Sequence, residues 1–186
     1  MKKRMSLCLL GVLGITFSSY SASTLVTAAE KEVKVGYIAG GVTVDPNASV
    51  VIPTGVMFSD TTSTVDTSVQ LMAIKPDGPS NDVSGLPTSF KVEVKVKSTN
   101  GYTLNNQKYT QKGEYKLGYK VANEAGTLTY FDKNTANSTS DQAIGTLNNQ
   151  RQKITGEAQM TATPNVTALT GDLFQDTLTY KLTVTK

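Results

Sequence analysis

The stretch that decides the fold reads Phe174-Gln-Asp-Thr-Leu-Thr-Tyr-Lys-Leu-Thr-Val-Thr-Lys186, in which apolar and polar residues alternate along most of the length. One face carries Leu178, Tyr180, Leu182 and Val184, and the other carries threonine and lysine. A period of two residues is typical of a β-strand with one buried face and one face in water. We therefore predict a half-buried strand in this stretch.

The same alternation recurs along the chain. It is clearest at residues 32–37, 90–97, 114–121 and 153–160, and weaker at 49–52, 68–74 and 127–131. Clusters of Gly, Pro and Asn separate these stretches and are typical of turns. No stretch of ten residues or more shows the periodicity of an amphipathic helix. Residues 141–147 are predicted to form at most a short turn. Many short strands between such turns predict a single all-β domain, an antiparallel two-sheet sandwich of jelly-roll-like form.

The first 29 residues have the layout of a secretory signal peptide. Three basic residues at 2–4 precede an apolar run at 7–17, and small residues lead to Ala28 and Ala29, where cleavage is expected. The apolar run is shorter than the ~20 residues that a membrane span needs, so no membrane anchor is predicted after cleavage. We expect Cys8 to be lost with the signal peptide, which leaves residues 30–186 as a β-sandwich surface domain.

Composition excludes several classes of function. The signal peptide contains three of the 18 basic residues and no acidic residue, which leaves 15 residues of each sign after cleavage. A neutral domain offers no electrostatic basis for binding nucleic acid or an anionic membrane. Since the cleaved chain has no His and no Cys, the usual zinc and copper ligands and the Ser–His and Cys–His nucleophile pairs are missing. We predict a protein that is not an enzyme and that holds no cofactor and no metal.

Acidic residues are the one remaining source of site chemistry. Asp77, Asn81 and Asp82 cluster in one segment, and Asp60 and Asp66 bracket another. Oxygen ligands of this kind suit calcium, but Asp and Asn also form turns, and the turn interpretation is favoured because no calcium-loop motif occurs. A carboxylate pair for glycoside hydrolysis is formally available, but most acids fall in turns or alternate with lysine on outward strand faces.

Two short motifs carry a resemblance to a known family. Tyr102-Thr-Leu104 follows the turn pair Asn100-Gly101, and the terminal strand contains Leu-Thr-Tyr-Lys-Leu at 178–182, preceded by Phe174. The pair resembles the two Trp-x-Leu motifs of WxL-domain proteins, which are non-covalent surface proteins of Gram-positive bacteria, with Tyr in place of both tryptophans. A third such tripeptide, Tyr115-Lys-Leu117, lies where the family pattern does not require one. Packing of these side chains in the core is the other interpretation of the same residues.

The resemblance implies a location and a site. The protein would be secreted and held at the cell wall surface without a covalent bond, either on peptidoglycan or on a wall-bound surface protein. The residues that match the family motifs, and that would mediate this binding or adhesion, are Tyr102, Leu104, Phe174, Leu178, Thr179, Tyr180 and Leu182. No Leu-Pro-x-Thr-Gly sorting motif for covalent attachment occurs in the chain.

A second function from a different class stays open. Residues 171–179 are similar to a strand found near the end of fimbrial and spore-coat-like β-sandwich subunits. Such a protein would be a fimbria-like or extracellular-matrix subunit that self-associates by strand addition to an open sheet edge. The alternating stretch 30–38 is the natural donor strand, although it also suits an ordinary first strand.

Overall fold

The computed structural model describes residues 27–34, 41–75, 78–164 and 172–186, and within these ranges it contains strands and turns but no helix. All the strand pairings are antiparallel. The predicted all-β antiparallel domain is confirmed. The strands of the described residues are β1 Thr27–Lys34, β2 Gly41–Asp45, β3 Ala48–Val51, β4 Thr64–Asp66, β5 Val69–Lys75, β6 Gly78–Ser80, β7 Lys91–Ser98, β8 Thr103–Leu104, β9 Gly113–Tyr119, β10 Thr129–Phe131, β11 Gln142–Asn148, β12 Lys153–Ile154, β13 Gly156–Ala162 and β14 Thr177–Thr185.

The C-terminal sheet has the strand order β1-β14-β7-β11. Its central ladder joins β14 to β7, with Leu178 opposite Ser98 and Thr185 opposite Lys91. Burial alternates residue by residue along both strands, as the sequence predicts. Since directly paired residues lie on the same face of a sheet, the valines of β7 and the apolar residues of β14 form one continuous buried surface.

The other strands divide between two further sheets. The tyrosine sheet has the order β10-β9-β13-β4, and β8 adds to β9. The N-terminal sheet has the order β12-β5-β3-β2, and β6 adds to β5. The sequence predicted antiparallel strands in two sheets, and the strand pairings of the structure divide them among three hydrogen-bonded sheets.

One buried cluster connects the three sheets. Val50 and Leu71 enter it from the N-terminal sheet, Leu117 from the tyrosine sheet, and Val94 and Leu182 from the C-terminal sheet, each with 0–1% of its surface exposed. The described residues contain no cysteine, so apolar burial and hydrogen bonding hold this core together without a disulfide. The largest fully buried side chains are three tyrosines, Tyr102, Tyr119 and Tyr180.

Strand β11 corrects the prediction for residues 141–147. The sequence predicts at most a short turn there, but Gln142–Asn148 is a strand paired with β7. Its register shifts between Ala143 and Gly145, which marks a β-bulge. As a result Ile144 and Leu147 are both buried although they are three residues apart. The bulge therefore hides the two-residue period by which a strand is recognised.

The predicted signal peptide lies outside the described residues, apart from residues 27–29. Those three residues form the beginning of β1 and pair with β14. The cleavage position after Ala28 or Ala29 stays a prediction.

Gly156, the first residue of β13, allows a close approach of the Tyr119 ring. A Cβ atom at this position would overlap that ring and would lie 3.0 Å from Thr67 Oγ1. We expect Gly156→Ala to lower the free energy of unfolding by about 1–3 kcal/mol, because a buried ring must move. Gly85→Ala is the matched control, since no atom lies within 4 Å of its added Cβ. Equal urea midpoints for the two variants would contradict this expectation.

Candidate functional site

The two tyrosine–leucine motifs are far apart in sequence but meet beside the first residues of β14. Asn105 N donates to Gln175 O at 3.0 Å, and Gln175 N donates to Asn105 O at 2.9 Å. Thr99 N also donates to Thr177 O at 2.9 Å. We call residues 98–109 together with 172–180 the motif junction. The structure thus brings both motif regions into one place.

Asp176 is the buried polar centre of the motif junction, with 2% of its surface exposed. Its Oδ2 accepts hydrogen bonds from Ser98 Oγ and from the Tyr115 hydroxyl, both at 2.6 Å. Its Oδ1 accepts from Asn100 N at 2.9 Å and from its neighbour Thr177 N at 2.7 Å. Four hydrogen-bond donors therefore replace the water molecules that the carboxylate loses when it is buried. The carboxylate joins the ends of β7 and β9 to the beginning of β14.

Ser98 extends this network to the first motif. Its Oγ donates to Asp176 and accepts from Tyr102 N at 2.6 Å. Tyr102 O in turn accepts from Tyr115 N at 3.1 Å. The rings of Tyr102 and Tyr115 pack edge to face, with centroids 5.8 Å apart and planes at 73°. Backbone and ring contacts together fix the position of Tyr102.

The backbone of Tyr102 adopts an unusual conformation. Its φ is 62°, directly after Gly101 with a φ of 63°. A bulky residue in the left-handed region costs on the order of 1–3 kcal/mol, so the surrounding structure must hold it there. Gly101 needs no such compensation, because it has no Cβ. The turn is formed at a local cost, and it directs the Tyr102 ring into the core, where 0% of the residue is exposed.

The second motif is connected to β9 through a pair of buried phenols. The hydroxyls of Tyr119 and Tyr180 lie 2.7 Å apart, and the Tyr119 hydroxyl also lies 3.2 Å from Thr67 O. Since Tyr119 O–H can donate to only one acceptor at a time, donation to Thr67 O leaves Tyr180 O–H to donate to Tyr119. The hydroxyl of Tyr102, in contrast, is buried and has no hydrogen-bond partner among the described residues.

These buried tyrosines predict alkaline unfolding. Burial raises the pKa of Tyr119 to about 12 and raises the pKa of Tyr115 and Tyr180 well above the usual value of 10.0. The unfolded chain therefore releases these phenolic protons at a lower pH than the folded chain does. The free energy of unfolding keeps its full value below pH 10 and falls as the pH rises from 10 towards 12. In a pH titration, we expect tyrosinate absorbance to increase over the same pH range in which the circular-dichroism signal of the folded chain is lost. Ionisation of all tyrosines near pH 10 in a folded chain would contradict this.

The structure places most of the predicted binding residues in the core. Five of the seven are buried, namely Tyr102, Leu104, Leu178, Tyr180 and Leu182, with 0–7% of the residue exposed. Phe174 and Thr179 are partly exposed. The five buried residues pack against neighbouring strands and offer no surface to a polymer in this conformation. Their assignment to wall binding stays a prediction. Their buried positions give them a role in core packing.

The outer part of the motif junction presents a different set of side chains. The rings of Tyr109 and Phe174 stack with centroids 5.4 Å apart and planes at 18°. The Tyr109 hydroxyl donates to Asp172 Oδ2 at 2.6 Å, and Lys108 Nζ donates to Asp172 Oδ1 at 2.8 Å. Next to them Leu173 exposes 48% of its surface. We call Lys108, Tyr109, Asp172, Leu173 and Phe174 the junction surface.

Of the junction surface, only Phe174 was predicted from the sequence. Tyr109 lies in the polar run Asn-Asn-Gln-Lys-Tyr-Thr-Gln-Lys at 105–112, where no period marks it as a core residue. An isolated aromatic residue in a polar loop is a usable signal, because tyrosine and tryptophan are enriched at binding surfaces. Leu173, beside Asp172, has no comparable signal in the sequence.

Two of the acidic residues considered for calcium, Asp66 and Asp82, form local turns. Asp66 Oδ1 accepts from the backbone N of Ser68 at 2.8 Å and from its hydroxyl at 2.6 Å. Asp82 Oδ1 accepts from Ser84 in the same way, at 3.1 and 2.6 Å. These are side-chain-to-backbone turns of the kind that Asp commonly forms. Asp77 lies outside the described residues.

A separate cleft of about 330 Å³ lies between the N-terminal sheet and the segment 82–90. Its charged lining consists of two ion pairs, Lys75–Asp82 at 3.0 Å and Lys186–Asp45 at 2.5 Å. Ala73, Leu86 and Phe90 also line it. Because its charges are paired with one another, the cleft presents no charge that calls for a ligand.

Within the ranges that the structure covers, no three acidic, His or Cys side chains come together in a way that could hold a metal ion. The same ranges contain no helix that is long and apolar enough to cross a membrane.

Comparison with protein-family models, with curated proteins and with solved structures finds no match to this chain.

Proposed function

We propose that the chain is a secreted, non-enzymatic cell-surface protein that attaches non-covalently to the Gram-positive cell wall, directly on peptidoglycan or through a wall-bound partner protein. The observation that supports the proposal is the meeting of the two motif regions in one junction, tied by Asp176 and by the Asn105–Gln175 pairing. Motifs that cooperate in one function are expected to lie together, and these two do.

In this proposal the buried motif residues act as a scaffold. Tyr102 N donates to Ser98 Oγ, which in turn donates to Asp176, and the Tyr180 hydroxyl is hydrogen-bonded to the Tyr119 hydroxyl. These contacts hold residues 98–109 and 172–180 in fixed positions. Rigid placement lowers the entropy that binding must overcome. The contact with the wall is then made by the junction surface, which includes Phe174, rather than by the five buried motif side chains.

The junction surface has the chemistry that such a ligand needs. Peptidoglycan presents sugar rings with apolar C–H faces and polar hydroxyls, together with short peptides that carry both charges. Leu173 and the Tyr109–Phe174 stack offer apolar contact, and Lys108, whose side chain is 67% exposed, offers a donor group held in place by Asp172. Apolar anchors beside a few fixed polar groups are typical of binding sites.

The direct test is sedimentation of the purified secreted chain with Gram-positive sacculi. We expect the chain to sediment, and we expect Leu173→Ser to weaken binding about tenfold, equivalent to roughly 1.4 kcal/mol, because an exposed apolar anchor is lost. Met57→Ser is the matched control, since Met57 is 56% exposed and is not part of the motif junction, so its loss should leave binding unchanged. Both substitutions are at the surface and should leave stability nearly constant.

Two preparations distinguish direct from partner-dependent attachment. Sacculi stripped of protein test binding to peptidoglycan, and native walls that retain their surface proteins test binding through a partner. Binding to native walls alone would indicate a protein partner. Failure to sediment with either preparation, or equal loss with Leu173→Ser and Met57→Ser, would overturn the proposal.

A further inference from the structure

The turn pair Asn100-Gly101 combines a chemically labile sequence with a conformation that the fold requires. It is the only Asn-Gly pair in the chain, and asparagine is among the thermally labile residues. A glycine after asparagine leaves its main-chain nitrogen unhindered, so this nitrogen can attack the asparagine side chain. Gly101 has a φ of 63°, and an added Cβ would lie 2.8 Å from Ser138 Oγ. The fold therefore keeps glycine at this position, and the labile pair with it.

The reaction open to this pair replaces an amide by a carboxylate. Gly101 N gives its proton to hydroxide and bonds to Asn100 Cγ, and the Cγ–Nδ2 bond breaks as the side-chain nitrogen takes a proton from water and leaves as ammonia. Water then adds to one carbonyl carbon of the resulting five-membered ring, and the ring opens. Addition at Cγ gives aspartate. Addition at the main-chain carbon gives isoaspartate, in which the main chain runs through Cγ.

Three hydrogen bonds hold Asn100 away from this reaction in the folded chain. Its Nδ2 donates to Gln175 O at 3.2 Å, which turns the side-chain amide towards the segment before β14. Its N donates to Asp176 Oδ1 at 2.9 Å, and its O accepts from Thr103 Oγ1 at 2.7 Å. Both the side-chain amide and the main chain beside it are therefore held by partners. Ring closure needs Cγ to turn back onto Gly101 N, so these hydrogen bonds must open first.

Neither product can restore the hydrogen bonds of Asn100. A carboxylate at residue 100 has no hydrogen to donate to Gln175 O, so two oxygen atoms would face each other where a 3.2 Å hydrogen bond was. It also adds a negative charge beside Asp176, which already accepts from the N of residue 100. Isoaspartate lengthens the main chain by one carbon just before Tyr102, whose N donates to Ser98 Oγ at 2.6 Å. The modified junction is therefore less stable than the original one.

We propose that Asn100 is a deamidation site that the closed motif junction protects, and that opening of the junction converts it to aspartate or isoaspartate and hinders reclosure. Because the reaction proceeds from the open state, its rate follows the population of that state. The modification thus accumulates with each opening of the junction. It does not depend on wall attachment, since Asn100 is not part of the junction surface.

Peptide mapping tests the protection. The purified secreted chain is incubated at mildly alkaline pH, either folded or in urea, and is then digested with trypsin, which releases residues 98–108 as one peptide. Mass spectrometry locates the conversion, with Asn105 and Asn106 of the same peptide as references. We expect Asn100 to convert about a hundredfold more slowly in the folded chain than in urea. Equal rates in the two states, or no conversion of Asn100 in urea, would overturn the proposal.

Asp176→Asn tests whether the junction is the protecting element. It weakens the acceptor of Asn100 N, so we expect conversion of Asn100 to be about fivefold faster in the folded variant, with folding verified by circular dichroism. Glu93→Gln is the matched control, an acid-to-amide change on β7 outside the motif junction, and should leave the rate unchanged. Equal rates in these two variants would refute the protective role.

Asn100→Asp reproduces one product of the reaction and tests its consequence. We expect a lower urea midpoint than that of the native chain, because the donor to Gln175 O is lost and a charge is added beside Asp176. A midpoint equal to that of the native chain would show that deamidation does not hinder reclosure.

Discussion

Replacing Asp176 by alanine is expected to lower the free energy of unfolding by about 4 kcal/mol, because several buried donors lose their acceptor at once. The donors are the hydroxyls of Ser98 and Tyr115 and the backbone N–H groups of Asn100 and Thr177. Urea unfolding followed by circular dichroism measures the change through the midpoint and slope. Glu93→Gln replaces a partly exposed acid of β7 near Lys95 and should leave the midpoint nearly unchanged.

Asp176→Asn separates charge from shape in the same network. Its amide oxygen can still accept from the two backbone N–H groups, and the hydroxyls of Ser98 and Tyr115 can rotate to accept from its NH₂ group. We therefore expect a loss of about 1–2 kcal/mol, clearly smaller than for alanine. If the alanine variant unfolds at the same urea concentration as the native chain, the carboxylate does not hold the junction together.

Replacing Tyr180 by alanine is expected to cost about 4 kcal/mol, because it removes a fully buried aromatic ring and leaves a cavity. Tyr180 has 1% of its surface exposed and its hydroxyl lies 2.7 Å from that of Tyr119. Tyr180→Phe keeps the ring and loses only this hydrogen bond, so we expect a cost of about 1 kcal/mol. Both values come from denaturant unfolding of the purified chain.

The two motif tyrosines should respond differently to loss of the hydroxyl. The Tyr102 hydroxyl is buried without a partner in the described part of the chain. Its removal relieves an unsatisfied polar group, so Tyr102→Phe should be neutral or stabilising by up to about 1 kcal/mol. A larger loss for Tyr102→Phe than for Tyr180→Phe would show that the hydroxyl of Tyr102 is satisfied in solution.

The strands that the sequence predicted are those with unbroken alternation. In β7, β9 and β14 the period of two coincides with burial, since each strand has one face in the core. β11 was not predicted, because its bulge puts Ile144 and Leu147 on the same side. The predicted strand at 153–160 is divided into β12 and β13 in the structure, and β8, with two residues, is too short to show any period.

The candidate site was predictable only in part. The two motifs were identified from local sequence, but their meeting depends on the long-range pairing of β14 with β7 and β1. Asp176 looks like an ordinary polar residue before a strand, because three of its four donors come from residues 61–78 positions away. Local patterns carry no information about such partners, and the exposed position of Leu173 is a product of the same tertiary arrangement.

The central place of β14 in its sheet also determines when that sheet can form. β1, β7 and β11 all precede it in the chain, and β14 lies between β1 and β7. The C-terminal sheet therefore cannot close until residues 177–185 are available to pair, and its contacts span most of the chain. Folds with such high contact order form slowly. For the secreted protein that we propose, a slow, late closure would leave the polypeptide able to pass unfolded through a secretion channel until its last strand has crossed.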